Sequence, residues 1–98
     1  MAVLSVAVSR VRDGQRTQTL EALRAIKKFV ERAGGTFRVS AQMYGGQAGA
    51  LVSVSEFADW NGLAKFRSDP ELRQLRERIT ADPPFDLVEM AVYEELTL

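Results

Sequence analysis

From Val3 to Val11 apolar and small polar residues alternate, with Leu4, Val6 and Val8 on one side and Ser5, Ala7 and Ser9 on the other. That two-residue period is the signature of a β-strand. The segment RDGQRT reads as a turn, and beyond it Leu20, Leu23, Ile26, Lys27 and Val30 recur at spacings of three and four, which predicts an amphipathic helix. Thr17 or Thr19 is suited to cap that helix, and Gly34-Gly35 to end it. Alternation returns over Thr36 to Tyr44, with Phe37, Val39, Ala41 and Met43 facing one way and Arg38, Ser40, Gln42 and Tyr44 the other. The glycines at 45, 46 and 49 predict a hairpin turn into a third strand over Ala50 to Phe57, where Val52 and Val54 oppose Ser53 and Ser55. Asp59 is placed to cap a second helix carrying Trp60, Leu63, Ala64 and Phe66. A restart is expected at Ser68-Asp69-Pro70-Glu71, with Asp69 as cap, Pro70 in the first turn and Leu72, Leu75 and Ile79 as the buried stripe. Asp82-Pro83-Pro84 stops the helix, and Phe85 to Leu96 reads as the last strand.

The order strand, helix, strand, strand, helix, strand predicts an α+β, ferredoxin-like βαββαβ fold in one domain over residues 1–98: a four-stranded antiparallel sheet with the helices on one face. Leu4, Val6, Val8, Phe37, Val39, Met43, Val52, Val54, Val88, Met90 and Val92 are expected beneath the helices. The other face then gathers Ser5, Ala7, Ser9, Arg38, Ser40, Gln42, Tyr44, Leu51, Ser53, Ser55, Phe57, Leu87, Glu89, Ala91 and Tyr93. A solvated sheet face carries more charge than this and a dry interface fewer serines, so the expectation is a concave, partly wet chamber closed by a second copy of the chain.

Composition narrows the chemistry. Lys plus Arg and Asp plus Glu number 13 each, which removes the electrostatic argument for nucleic acid or an anionic membrane as partner. A base-stacking aromatic and basic motif is missing from the strands, with Ser53 and Ser55 where rings would be needed. No run approaches the ~20 apolar residues of a membrane span, and the first strand lacks the basic residues that precede a signal peptide's apolar core. With no Cys there is no disulfide, thiolate nucleophile or Cys-held metal, and a cytoplasmic setting fits. His, the commonest general base and metal ligand, is absent as well. Any reaction falls to carboxylates, Tyr, Arg, Lys, Ser or Thr, Asn or Gln, or to the bound reactant; no cofactor or metal is expected.

The stretches AGGTFRVSAQMYGG, LVSVSEFADWNGLAKFRSDPELRQL and FDLVEMAVYEEL, in this order, resemble the dimeric α/β-barrel superfamily of small ferredoxin-like proteins. The passage SEFADWNGLAKFRSDPE is similar to the acidic-aromatic helix of its NIPSNAP and antibiotic-biosynthesis-monooxygenase-like branches. The resemblance implies a homodimer that encloses a pocket for a small organic molecule, and activities that include cofactor-independent oxygenases, cyclases and isomerases. It does not carry over a His haem ligand or a His base, since this chain has neither. Trp60 and Asn61 are similar to a Trp and an Asn at some oxygenase sites, but being adjacent on one helix they take no catalytic role here.

The candidate catalytic residues are Arg38, Tyr44, Glu89 and Tyr93. Arg38 suits a carboxylate, enolate or phenolate, or else forms a surface or interface pair with Glu89. Glu89 suits a base if desolvated, and the two tyrosines either hydrogen-bond a substrate oxygen or simply pack. Ser40, Gln42, Ser53, Ser55 and Trp60 are the candidate ligand-binding residues, the serines as orienting groups without a base to activate them. Two function classes follow: an enzyme acting on an aromatic or enolisable metabolite, such as a cofactor-independent monooxygenase, isomerase or cyclase, and a non-catalytic dimeric ligand-binding or assembly module.

Overall fold

The computed structural model describes residues 1–98 and contains seven elements: β1 (Val3–Val11), α1 (Arg16–Arg32), β2 (Thr36–Ala41), β3 (Leu51–Phe57), α2 (Trp60–Arg67), α3 (Pro70–Ala81) and β4 (Phe85–Glu94). The strands form one antiparallel sheet in the order β2-β3-β1-β4, so β1 and β3 are central and β2 and β4 are edges. The Cα atoms extend 39 × 33 × 16 Å, and the short axis accommodates one sheet and one helix layer and nothing more. The predicted ferredoxin-like arrangement is therefore the observed one, with the second helix split as expected. Asp59 accepts a hydrogen bond from the Gly62 backbone N–H at 3.1 Å and Asp69 one from that of Glu71 at 3.0 Å, each holding the first turn of its helix.

Several boundaries differ from the sequence expectation; β3, for one, begins at Leu51 rather than Ala50. Helix α1 begins at Arg16 behind Gln15, so neither Thr17 nor Thr19 caps it. Thr19 is fully buried inside the helix, and its hydroxyl donates to the carbonyl of Gln15 at 2.8 Å and to that of Pro84 at 3.3 Å, tying α1 to the start of β4. Strand β2 ends at Ala41 rather than Tyr44, because the chain turns at Gln42, whose backbone N–H and C=O close onto Ala50 and Gly49. Strand β4 ends at Glu94.

The central finding of the fold is which face the helices cover. Paired residues of antiparallel strands point to the same side, so the register Val3↔Phe57, Ser5↔Ser55, Ala7↔Ser53 and Ser9↔Leu51 fixes the two faces. Val3 and Phe57 are at most 1% exposed and join Val30, Leu63, Phe66 and Leu72 in the core. The rows that share their parity, the serines, therefore lie beneath the helices. Leu4, Val6, Val8, Val52 and Val54 point the other way and are covered by no element. This reverses the predicted faces of β1 and β3, while Phe37, Met90 and Val92 do lie on the helix side as expected. Val88 occupies a bulge between the pairs Val8↔Glu89 and Ser9↔Leu87 and is exposed rather than buried.

One close approach locks the β2 edge. A Cβ on Gly35 would lie 2.7 Å from the Glu56 carbonyl oxygen and 2.8 Å from the buried ring of Phe57, neither of which can move aside cheaply. Gly35→Ala is expected to destabilise the fold by about 1–3 kcal/mol, the usual range for overpacking, measured by urea unfolding at fixed protein concentration. A loss below a few tenths of a kcal/mol would show that β2 shifts freely.

Candidate functional site

Side chains on the helix side of the sheet form rows across the four strands. Phe37, Ser55, Ser5 and Val92 make one row, Val39, Ser53, Ala7 and Met90 the next. Small residues thus occupy both central strands and larger ones both edges, so the sheet presents a trough. Its upper wall comes from α1, α2 and α3. At one end Phe57 and Phe66, with ring centroids 5.7 Å apart, fill the space between sheet and helices. Beyond them the serines are too short to meet the helices, and a cleft of about 750 Å³ remains, open to solvent on one side. This volume lies within the range of small-molecule sites.

Ser5, Ser9, Ser53 and Ser55 are each at most 7% exposed and all line the cleft. The hydroxyl hydrogen bonds within the chain are those of Thr19, Ser68 and Thr80, and no polar atom is sealed from solvent without a partner. The serine hydroxyls therefore open into the cleft with their hydrogen-bonding capacity unspent. Leu23, Ile26, Phe37, Ile79, Phe85 and Met90 supply much of the apolar lining, and Arg67, Arg76 and Asp86 the charges.

The carboxylate of Asp86 accepts from the Arg12 guanidinium at 2.8 Å. That hydrogen bond, assisted by the positive charges of Arg12 and Arg10, holds the Asp86 carboxyl below its ordinary range. Because the unfolded chain binds this proton more tightly, the pair's contribution to stability is complete above the ordinary Asp pKa and fades as pH falls through the folded-state value. Asp86→Asn is accordingly expected to lower the melting temperature slightly at neutral pH and to match the parent in strong acid. An equal loss at both pH values would show that Asp86 acts through packing instead.

The residues selected from sequence do not converge on one place. Ser53 and Ser55 line the cleft. Arg38 and Ser40 pair with Val54 and Val52, and Glu89 and Tyr93 with Val8 and Leu4, which puts all four on the opposite, open face. There they surround the aliphatic patch of Leu4, Val6, Val8, Val52 and Val54 as a polar rim. Gln42 and Tyr44 belong to the β2–β3 loop rather than to a strand; Tyr44 is 94% exposed, and its carbonyl accepts from the Gln42 side chain at 3.2 Å. Trp60 lies at the start of α2, half exposed, with its indole N–H donating to Glu94 at 2.7 Å. A chamber lined jointly by these residues and the serines is therefore corrected to two separate surfaces, because a strand's alternation divides them.

Sequence reasoning missed Arg67 and Arg76, and took Ile79 for the buried stripe alone rather than for the cleft wall. A signal for Arg76 exists: it lies four residues after Leu72 and three before Ile79, on the stripe that faces the sheet. A charge on that stripe marks an aqueous gap below it.

No group of three or more Cys, His, Asp or Glu side chains is arranged to hold a metal, and no helix is long and apolar enough to cross a membrane. No protein-family model matches the chain, and no curated protein matches it. Solved structures do. It is similar to SnoaB, a cofactor-independent oxygenase from Streptomyces nogalater, with a TM-score of 0.77 at 11% identity over 99% of this chain and 95% of that one. It is similar to Rv0793 from Mycobacterium tuberculosis, with a TM-score of 0.73 at 17% identity over 100% and 98% of the two chains. A conserved protein from Methanosarcina mazei Go1 gives 0.75 at 13% identity over 98% and 94%. The resemblance drawn from sequence is thus borne out at the level of fold.

Proposed function

We propose that the chain is a homodimer in which each subunit binds a small organic molecule with an aromatic or enolisable apolar body in the cleft between sheet and helices. The observation that carries this reading is the set of four buried serines whose hydroxyls meet no protein partner inside an otherwise largely apolar cleft. Folding has drawn these hydroxyls into a confined cleft where they reach solvent but no protein group, an arrangement a ligand's polar atoms can complete. The dimer is supported by the opposite face, where five uncovered aliphatic side chains are ringed by Arg38, Ser40, Glu89 and Tyr93. An apolar centre with a polar rim is the anatomy of a protein interface.

The finer reading is oxygenase chemistry without a cofactor, supported by the shared fold with an oxygenase of that kind. In such a reaction the enolisable substrate supplies all four electrons that O2 takes up: a CH2 group loses two hydrogens and becomes C=O, one oxygen atom of O2 enters the product and the other leaves with the two hydrogens as water. This chain's contribution would be to hold the substrate, hydrogen-bond its oxygens through the serines and exclude bulk solvent. The neutral naphthalene carboxamide serves as a binding probe, titrated into the parent and into Ser53→Leu, which fills the trough. The parent is expected to bind, and Ser53→Leu to bind about tenfold more weakly or not at all, the loss of on the order of one well-made hydrogen bond plus the occupied volume. Equal affinity in both would overturn the cleft as the site. Oxygen uptake dependent on enolisable aromatic ketones would support the oxygenase; binding of such ketones without uptake would favour a non-catalytic ligand-binding module.

A further inference from the structure

We infer that Arg67 and Arg76 form an anion subsite at the rim of the cleft, so that the molecule bound there carries a carboxylate at one end of its apolar body. The inference rests on the reading of the cleft as a ligand site and adds to it a charge and an orientation. Both arginines line the cleft, from the last turn of α2 and the middle of α3, and both are otherwise exposed, which puts them where the cleft meets solvent. Neither is neutralised. The ion pairs of the chain are those of Arg12 with Asp86 and of Arg32 with Asp69 and Glu71. Asp86, the acidic residue of the lining, is thus already taken.

Arg76 is also held in place. Its guanidinium carbon lies 5.6 Å from the centroid of the Phe66 ring, which forms part of the wall and belongs to the core. Drawn partly out of water by burial and set near the like charge of Arg67, Arg76 has its pKa pushed below the ordinary value for arginine. Two cations brought together beside an apolar surface with no counter-ion form an unfavourable arrangement that an anion relieves. Guanidinium forks match a carboxylate's two oxygens better than a point charge does, and the hydrogen bonds they form are charge-assisted. The carboxylate would sit at the solvent end, with the ring body over the serines and Met90.

The test compares naphthalene carboxylate with its neutral carboxamide, titrated into the full chain at neutral pH by calorimetry. The carboxylate is expected to bind at least about tenfold more tightly, as hydrogen bonds to a charged group are roughly twice as strong as those between neutral ones. Arg67→Gln and Arg76→Gln should each bring the two affinities closer by weakening the carboxylate more than the carboxamide, and Arg76→Lys should retain part of the preference. Equal binding of both probes by the parent, or a preference that survives in the double Gln variant, overturns the subsite and leaves the cleft reading intact. Binding of neither probe overturns the cleft reading and the subsite with it. Should the variants fail to fold by circular dichroism, salt decides: a carboxylate preference that shrinks as salt is raised supports the subsite, and one indifferent to salt overturns it.

Discussion

Val6→Asp is expected to convert the proposed dimer into a folded monomer. Val6 lies at the middle of the open face, in the row Arg38, Val54, Val6, Ala91. A two-fold interface brings the same patch of both subunits together, so one substitution buries two carboxylates close to one another with no cation at the centre. Taking each out of water costs several kcal/mol, and the dissociation constant should rise about a thousandfold or more, on the order of 4 kcal/mol. Light scattering after gel filtration across a dilution series should give the dimer mass for the parent and the monomer mass for the variant. Because Val6 points away from the helices, the monomer should keep its circular dichroism and its cleft. A parent that runs as a monomer would remove the dimer from the account.

The second large effect is in the core. Phe57→Ala is expected to cost about 3–5 kcal/mol, the range for deleting a buried aromatic ring. Phe57 is 1% exposed, stacks obliquely on Phe66 and abuts both Gly35 and Gly62, so the backbone on two sides is already in contact and cannot close the void. Against a typical total of 5–15 kcal/mol this loss leaves a marginal protein. Urea unfolding at one protein concentration, shared with the parent, measures it. A loss below about 1 kcal/mol would mean that the core is not organised around this ring.

The contrast between Val6 and Phe57 explains what the sequence could and could not convey. Alternation in β1 and β3 is plain from the residues, and with it the element order, the helix caps at Asp59 and Asp69 and the ferredoxin-like fold. Alternation separates two faces without saying which one the helices take. The aliphatic series at Leu4, Val6, Val8, Val52 and Val54 is the greasier, and burying it beneath the helices is the natural first choice. What decides against it is the size of the residues at the strand ends: Val3 and Phe57 belong to the serine parity and meet Val30, Leu63 and Leu72. The serine face is thus a core at one end and a cleft along the rest, while the aliphatic face is left for another surface to cover. Of the nine site residues chosen from sequence, Ser53 and Ser55 fall in the cleft and none of the other seven does. Arg67 and Arg76 escaped notice because charges on a helix read as solvated until the sheet beneath them is known to be hollow.

The proposed ligand lies inside each subunit, beneath the helices, and the proposed partner subunit on the other face. Nuclear magnetic resonance shift mapping with the naphthalene carboxylate tests this directly. The predicted result is perturbation of Ser5, Ser53, Ser55, Arg76, Ile79 and Met90, with Arg38, Ser40, Glu89 and Tyr93 unmoved. Perturbation confined to Arg38, Ser40, Glu89 and Tyr93 would contradict it and place the binding site on the open face of the sheet.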